Sequence, residues 1–384
     1  MQINKLANEC KLRKEKYIDA SIGVLKNNRH KLITFKVIEE ILKENINCKT
    51  CNYSSILGSE EFNDLMCDWI FKRKLQCSYS SGFVMGATAG LNFAFNTYSR
   101  NKKMIVPSLR WPNYNLIAQK NNIELIEFEM FTKGNQFNIN GVKKILERND
   151  EDISLLINDP CSNPTGYTFT INEWKELVKV INEESVKRKI TLILDLAYLD
   201  FTFNDYSEVY KLIENNLSLN FSVILCYSFS KSFSLYGYRG GLVIGLFNSI
   251  KEKEEFTNNL KFYIRSTWSS CNNLLTTSIN KALKSKLYRK IVEIKQNKNK
   301  RLLKNRIDYF KKVAGEFHIS YYEFCEGFFV FLMIEDVEKT FNYLISKNIF
   351  LVPFENGIRI SIASINKKEI LLILKEINNM NSLI

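Results

Sequence analysis

The chain has 384 residues, of which 45% are hydrophobic and 25% are charged, a balance typical of a folded globular protein. This length allows two domains with a substantial core, and only five prolines argue against long disordered linkers. The net charge of +13 could indicate nucleic-acid binding, but the lysines are scattered, and the densest run, residues 295–304, is predicted to lie on a solvated helical face. We therefore expect no nucleic-acid partner.

The sequence contains no predicted membrane segment and no metal motif. No apolar run is long enough to span a bilayer, and the first ten residues lack the apolar centre of a signal peptide, so we expect a cytoplasmic protein. The nine cysteines are an odd number, and a large cytoplasmic chain is not expected to have a disulfide framework. Cys48 and Cys51 form a CxxC pair, but a zinc site would need a second pair, so we expect reduced thiols and no metal.

Short apolar runs alternate with amphipathic segments through the first two thirds of the chain. Helices are predicted at residues 35–43 and 172–184, among others. The predicted strands are residues 83–85, 103–106, 123–128, 153–157, 189–194, 221–226 and 241–246. This alternation indicates an α/β fold with a mostly parallel central sheet between helices.

Polar residues follow four of these strands at their carboxyl ends, where open α/β sheets place their ligands. They are Thr88, Asn163, Asp195 and Ser228. The small residues around Thr88 would leave room for an anion at the start of the following helix. Trp111 has a proline nearby on each side and could offer a flat face to a ring, although a core tryptophan is the commoner case.

Residues 227–241 are the most informative stretch. Lys231 lies just past a core strand, so it needs a cavity, and desolvation there would make its amine nucleophilic. Arg239 and Ser228 suit a doubly charged phosphate. An amine beside a phosphate site is what a pyridoxal 5'-phosphate (PLP) enzyme requires. Taken alone, the stretch fits a loop lysine and a surface arginine equally well.

The last third of the chain predicts a smaller α+β unit. Residues 287–313 are periodic and charged, as in one or two long helices, and strands are predicted at 320–324, 328–334 and 358–363. Helices at 337–347 and 367–378 would pack on these strands. We therefore predict a large domain of residues 36–285 and a small domain made of residues 1–35 and 286–384, which includes the long helix.

Taken in chain order, these motifs resemble the class I aminotransferases, PLP enzymes of fold type I that act in amino acid metabolism, and above all the aspartate and aromatic amino acid subgroup. The resemblance covers nearly the whole chain. The matching segments are Ile22-Gly23-Val24, Tyr53 with Gly58, Gly86-Ala-Thr88, Trp111-Pro-Asn-Tyr114, Asn163-Pro-Thr-Gly166, Asp195-x-Ala-Tyr198, Ser228-x-Ser-Lys231, Leu235-Tyr-Gly-x-Arg239, Ile264-Arg265 and Gly357-x-Arg359.

The resemblance implies roles at the reacting end of the cofactor. Lys231 would hold PLP covalently and then act as the base and acid that moves the substrate's Cα proton. Asp195 would keep the pyridine nitrogen protonated. Tyr198 and Asn163 would hydrogen-bond the 3′-oxygen, and Trp111 would stack on the ring.

The resemblance also implies the groups that hold the phosphate and the substrate. The phosphate clamp would consist of Arg239, Ser228, Thr88 and the Ala87 amide. Tyr53 would reach the phosphate in the neighbouring subunit, which implies a homodimer. Arg359 would bind the substrate α-carboxylate, the Gly23 amide would close over it, and Trp111 and Asn163 would contact the substrate as well.

Substrate choice would depend on Arg265. It falls where the aspartate enzymes carry an arginine that crosses to the partner's site and binds the side-chain carboxylate. A surface arginine at a helix start is the alternative. Three features depart from the family: Tyr114 replaces a histidine that supports the ring-binding aspartate, Gly240 occupies a position often filled by a larger side chain, and Ser270-Cys-Asn272 replaces Asn-Pro-Pro after Arg265.

We therefore predict an aminotransferase that exchanges an amino group between an amino acid and a 2-oxo acid such as 2-oxoglutarate. Acidic amino acids are favoured, with aromatic and neutral ones left open. A PLP-dependent carbon–sulfur β-lyase or decarboxylase would use the same lysine and aspartate. A regulator that only binds PLP is a third reading, although the chain has no spare length for a DNA-binding domain.

Overall fold

The computed structural model describes residues 2–13, 15–324 and 326–381, so the predicted small domain includes positions outside these ranges. The described residues form twelve strands: β1 (Ile18–Asp19), β2 (Ser78–Val84), β3 (Lys103–Pro107), β4 (Glu124–Phe128), β5 (Ile153–Asn158), β6 (Ile190–Asp195), β7 (Phe221–Ser228), β8 (Gly241–Phe247), β9 (Phe329–Met333), β10 (Ile349–Phe350), β11 (Val352–Phe354) and β12 (Gly357–Ser361).

The same residues form fourteen α-helices, none of which is long and apolar enough to cross a membrane. They are α1 (Gln2–Leu12), α2 (Lys36–Glu44), α3 (Glu60–Phe71), α4 (Ala87–Tyr98), α5 (Asn113–Lys120), α6 (Ile139–Glu147), α7 (Ile171–Ser185), α8 (Ser207–Glu214), α9 (Phe229–Ser232), α10 (Ile250–Thr267), α11 (Asn273–Lys284), α12 (Lys286–Glu316), α13 (Val337–Ser346) and α14 (Lys367–Asn381).

A seven-stranded sheet forms the centre of the molecule, in the order β2-β8-β7-β6-β5-β3-β4. Strand β8 runs antiparallel to both of its neighbours, and the remaining pairs are parallel. Every residue of β5, β6 and β8 is buried, as expected for strands covered by helices on both faces. The predicted α/β class with a mostly parallel sheet is therefore confirmed.

The direction of β8 has a consequence for the location of the site. Because β8 is antiparallel, its amino end lies at the same edge of the sheet as the carboxyl ends of β6 and β7. The residues that precede Gly241, including Arg239, therefore reach the edge that carries Asp195 and Ser228. One edge thus collects residues from both strand directions.

Helix ends follow the capping chemistry of the sequence. At the start of α7, the Thr170 side chain accepts a hydrogen bond from the Glu173 amide, and the Glu173 carboxylate accepts one from the Thr170 amide. This reciprocal pair satisfies two backbone donors that the helix leaves free. Helix α7 then packs Trp174 and Leu177 into the sheet core.

The second body contains the antiparallel sheet β11-β12-β9 and the parallel pair β1-β10. Helix α12 is a single helix of 31 residues, where the sequence allowed one helix or two. The predicted strand at 320–324 is wrong, because Tyr321 forms only an isolated bridge to Leu332. The division into a large domain of residues 36–285 and a small domain stays a prediction. All seven strands of the large sheet lie within residues 36–285.

Gly241 should be required where β8 meets the start of α4. An added Cβ would lie 2.6 Å from the Tyr227 carbonyl oxygen and 3.0 Å from the Ala87 nitrogen, both backbone atoms that cannot move freely. We expect Gly241→Ala to lower the free energy of unfolding by about 1–3 kcal/mol, as overpacking does. Urea denaturation followed by circular dichroism measures this change.

Gly315→Ala is the matched control, because a Cβ there meets nothing within 4 Å and the residue lies in helix α12. This variant should leave stability unchanged or raise it, since alanine is the better helix former. Equal stabilities for the two variants would contradict the packing argument.

Candidate active site

A cavity of about 370 Å³ lies at the carboxyl edge of the large sheet. Five strand ends supply its walls, those of β2, β3, β5, β6 and β7, together with the segment before β8. It brings together eleven of the predicted site residues: Gly23, Ala87, Thr88, Trp111, Asn163, Asp195, Tyr198, Ser228, Lys231, Arg239 and Arg359. The predicted residues Tyr53 and Arg265 are not part of its lining.

Lys231 is held over the cavity by the short helix α9. Its Nζ donates a hydrogen bond of 2.6 Å to the carbonyl oxygen of Gly23. Aromatic rings surround the amine, with the Tyr236 centroid at 5.0 Å and the Tyr198 centroid at 5.6 Å. Burial, together with the charges of Arg359 and Arg239, lowers the pKa of Lys231 to about 7, against the opposing charge of Asp195. Much of the amine is therefore neutral at neutral pH.

Asp195 ends β6 and is 4% exposed. Its Oδ2 accepts a hydrogen bond of 2.6 Å from the Tyr114 hydroxyl, and its Oδ1 accepts one of 2.9 Å from the Ala197 amide. Burial raises the pKa of Asp195 to about 6, while these two hydrogen bonds and the Lys231 charge oppose the rise. Burial also raises the pKa of Tyr114 well above its usual value, so the phenol remains a hydrogen-bond donor.

An anion cradle lies where α4 begins. The first amides of a helix have no acceptor within the helix, so those of Ala87 and Thr88 can serve a ligand. Arg239 Nη1 is held by the Ser230 hydroxyl at 3.1 Å and the Tyr236 carbonyl at 2.9 Å. Gly86 has a φ of +82°, which L side chains rarely adopt, and a Cβ there would meet Arg239 Nη2 at 2.8 Å, so glycine suits this turn best.

Arg359 projects from β12 of the second body into the cavity and is 8% exposed. Its Nη1 donates to Asn163 Oδ1 at 2.9 Å, its Nη2 donates to the Ser21 carbonyl at 2.6 Å, and its guanidinium lies 4.4 Å from the Phe329 ring centroid. Burial lowers the pKa of Arg359 to about 10, so the group stays charged at neutral pH. Its Nε is buried and has no hydrogen-bond partner among the described residues.

Tyr53 and Arg265 lie on the surface, away from Lys231. Tyr53 is 86% exposed, and the Arg265 guanidinium donates to the Ser269 hydroxyl at 3.0 Å near the end of α10. Tyr53 and the segment that follows Arg265 share a second, shallow cavity of about 270 Å³, which residues 50–53 and 270–274 line. The single chain therefore presents Tyr53 and the Arg265 segment on one outer face.

The structure adds cavity residues to which the sequence assigned no role. Asn158 ends β5, donates to the Asp195 carbonyl at 2.9 Å and accepts from the Asn163 amide at 2.7 Å. Tyr236 and Ser230 also line the cavity. Asn158 could have been found by the same rule of strand ends that found Asp195, since both residues close parallel neighbouring strands.

These groups fit PLP. The α4 cradle with Arg239 suits a phosphate, the Lys231 amine is partly neutral at neutral pH, and Asp195 offers a carboxylate in the same cavity. The match extends to the sequence: the pattern for "Aminotransferase class I and II" covers residues 15–377. The chain therefore belongs to this family of PLP-dependent aminotransferases, and the resemblance predicted from the motifs is confirmed.

Individual relatives agree with the family. The chain is 27% identical to the mitochondrial aspartate aminotransferase of Saccharomyces cerevisiae over 301 residues, 66% of this chain and 65% of that enzyme, so it spans just under two thirds of that relative. An aminotransferase from Anaerococcus prevotii has 28% identity and a TM-score of 0.92 over 99% of this chain and 95% of that chain. The aromatic-amino-acid aminotransferase of Burkholderia pseudomallei, covalently bound to PLP, shares the fold at 18% identity and a TM-score of 0.82 over 98% and 95%.

The lowered pKa of Lys231 predicts how cofactor capture depends on pH. Only the neutral amine attacks an aldehyde, so capture of PLP by the cofactor-free protein should level off above a pH of about 7. We expect capture to be roughly tenfold slower at pH 6 than at pH 8, and the rate should rise little above pH 8. Borohydride trapping followed by mass spectrometry of the Lys231 peptide measures the rate.

A small primary amine treated in parallel corrects for the ionisation of PLP itself, and Lys231→Ala reports labelling at other lysines. A rate at Lys231 that keeps rising beyond pH 9, as for an ordinary lysine, would show that the amine is not desolvated in solution.

Proposed function

We propose that this protein is a PLP-dependent aminotransferase that exchanges the amino group of an amino acid with a 2-oxo acid such as 2-oxoglutarate. One observation carries the proposal: a single cavity joins the Lys231 amine, the Asp195 carboxylate and two arginines, Arg239 and Arg359. An amine, a ring-nitrogen partner, a phosphate cradle and a carboxylate clamp are the parts that this chemistry needs.

The chain would hold the cofactor at three places. The α4 amides, Ser228 and Arg239 would bind the phosphate, Asp195 would face the ring nitrogen, and Lys231 would bind covalently. Bound PLP supplies an electron sink for the bond that breaks at the substrate Cα. Tyr114 would fix the Asp195 carboxylate through its 2.6 Å hydrogen bond, so that the carboxylate keeps its orientation.

Lys231 would move the proton. A pKa of about 7 lets the amine accept the Cα proton and return it within one turnover, since both forms are populated at neutral pH. Around the cofactor, Tyr198 and Asn163 would bond its 3′-oxygen and Trp111 would cover its ring face. Gly23, whose carbonyl holds the amine, would close over the substrate carboxylate with its amide.

Arg359 would bind the α-carboxylate of the substrate. Its guanidinium is already oriented by Asn163, the Ser21 carbonyl and the Phe329 ring, so little entropy is lost when a carboxylate binds. Trp111 and Asn163, which share the cavity, would contact the substrate as well. A fixed cation at this place selects 2-amino and 2-oxo acids over amines that lack a carboxylate.

We propose further that two copies share their sites. Tyr53 and Arg265 lie outside the cavity of their own chain and would serve the cofactor phosphate and the substrate side chain of the partner. An arginine supplied in this way favours acidic amino acids. The proposed location is the cytoplasm; no disulfide joins two of the cysteines that the structure describes, as is typical of a reducing compartment.

A substrate screen tests the reaction. Purified protein with PLP should convert 2-oxoglutarate to glutamate with an amino-acid donor, and aspartate should give the highest kcat/KM. Lys231→Ala should lose at least about a thousandfold in kcat, since both covalent capture and proton transfer depend on the amine. Coupled oxo-acid assays measure both values.

The other outcomes of the screen each contradict a different part of the proposal. Preference for aromatic or neutral donors would contradict only the proposed role of Arg265, and transamination itself would stand. Carbon dioxide or sulfide release without transfer to an oxo acid would contradict transamination in favour of a decarboxylase or β-lyase. Cofactor binding without any turnover would leave only a PLP-binding regulator.

Hybrid dimers test the shared site. A dimer of one Lys231→Ala chain and one Arg265→Ala chain contains one complete site, because the first chain supplies Arg265 to the cavity that holds the second chain's Lys231. We expect this hybrid to turn over aspartate at about half of the wild-type rate, while both parent homodimers are impaired. Two affinity tags allow the hybrid to be purified for assay.

A hybrid of one wild-type chain and one Lys231→Ala chain is the control. It retains one intact Lys231, so it gives the activity expected for one working site per dimer. If the double-variant hybrid is no more active on aspartate than the Arg265→Ala homodimer, Arg265 does not act across the interface.

A further inference from the structure

The CxxC motif forms a compact turn on the surface. Cys48 and Cys51 are both exposed. The Cys51 amide donates to the Asn47 carbonyl at 3.0 Å, and the Thr50 amide donates to the same oxygen at 3.1 Å, as in one turn of a helix. Residues three apart in such a turn lie on the same side, with about 5–6 Å between Cβ atoms. A disulfide needs about 3.5–4.5 Å between Cβ atoms, so the two thiols can be joined if the turn tightens by about 1–2 Å.

The other described cysteines differ from this pair. Cys10, Cys161 and Cys226 are among the buried ones, and burial raises the pKa of Cys67 and of Cys77 to about 12. Only the thiolate attacks a disulfide, so such thiols react slowly. Among the cysteines that the structure describes, Cys48 and Cys51 are the exposed ones.

The CxxC turn is tied to the outer face that carries Tyr53. The Asn273 side-chain amide donates 3.0 Å hydrogen bonds to the carbonyls of Lys49 and Asn52, so the turn is held by the segment that follows Arg265. Next along the chain, the Ser54 hydroxyl donates to the Cys271 carbonyl at 3.2 Å. A change in the shape of the turn therefore reaches both segments that line the shallow cavity.

We propose that Cys48 and Cys51 form a dithiol modification site that low-molecular-weight disulfides oxidise reversibly to an intramolecular disulfide. One thiolate attacks a sulfur of the small disulfide, whose S–S bond breaks and releases one small thiol. The second thiolate attacks the protein sulfur of this mixed disulfide, forms the Cys48–Cys51 bond and releases the second small thiol. The small disulfide gains the two electrons that the protein pair loses.

Mass spectrometry of the full reduced chain after exposure to oxidised glutathione tests the site. We expect a mass lower by two hydrogens, no retained glutathione, and a loss of two titratable thiols from the nine cysteines after denaturation. Trypsin cleaves after Lys49, between the two cysteines, so a formed disulfide appears as two linked peptides. Dithiothreitol should restore all nine thiols.

Single variants complete the test. Cys51→Ser and Cys48→Ser should each retain one glutathione and give no linked peptides, which matters because Cys67 lies in the same tryptic peptide as Cys51. Two glutathione adducts on the wild-type chain, a bond to another cysteine or a disulfide between chains would each overturn the proposal.

The coupling to the outer face rests on the proposed function of Tyr53. If Tyr53 holds the partner's cofactor, the oxidised holoenzyme should release PLP at least severalfold faster than the reduced form on dilution, as followed by absorbance. The double variant with Cys48→Ser and Cys51→Ser, treated with the same oxidant, is the matched control, because its turn can carry neither the disulfide nor a glutathione adduct, and it should release PLP at the reduced rate. A formed disulfide with unchanged release would overturn the coupling, while failure of the proposed function would show as no PLP bound in either form.

Discussion

Desolvation of the Lys231 amine is the interaction on which the site depends. A lysine in water is charged at neutral pH and cannot attack a carbonyl, whereas burial beside Arg359 and Arg239 lowers the pKa of this one to about 7. Asp195 is the opposing charge, and its own pKa rises to about 6 because it too is buried. The cavity thus holds more positive than negative charge and is complementary to a phosphate and to carboxylates.

The sheet topology brings these charges together. Asp195 and Ser228 end parallel strands, while Arg239 precedes the antiparallel β8, so a change of strand direction is what places all three at one edge. The small residues Gly86 and Gly241 let the backbone of the α4 start approach both β8 and the Arg239 guanidinium. Close packing at this edge and the anion binding proposed for it therefore depend on the same glycines.

The second body closes the cavity through hydrogen bonds to backbone carbonyls. Arg306, in helix α12 and 1% exposed, donates to the carbonyls of Ala363 and Lys26 at 2.8 Å each. The 20–26 segment is thereby fixed between α12 and the loop after β12, with Gly23 against Lys231. A buried guanidinium that bonds neutral oxygens satisfies the backbone where the chain cannot form regular strands.

The sequence by itself determined the α/β class and the polar strand ends that line the cavity, because strand periodicity and polar strand ends are local properties of the chain. Other cavity residues, such as Gly23, Tyr198 and Arg359, were predicted only through the family resemblance. The family resemblance identified Tyr114 as a departure at the position of a histidine beside the ring-binding aspartate, and the structure shows that its phenol donates to the Asp195 carboxylate at 2.6 Å. The alternation at 320–324 indicated a strand, but whether an extended segment pairs depends on its neighbours, and only Tyr321 forms a bridge.

Only the tertiary structure decided the contacts between distant parts of the chain. The bond from Lys231 to the Gly23 carbonyl, the approach of Arg239 to Gly86 and the placement of Asn158 behind Asp195 each join residues far apart in sequence. The lowered pKa of Lys231 likewise results from burial and from Arg359, a residue of another sheet. Such distances follow from packing between elements, which no local pattern of residues encodes.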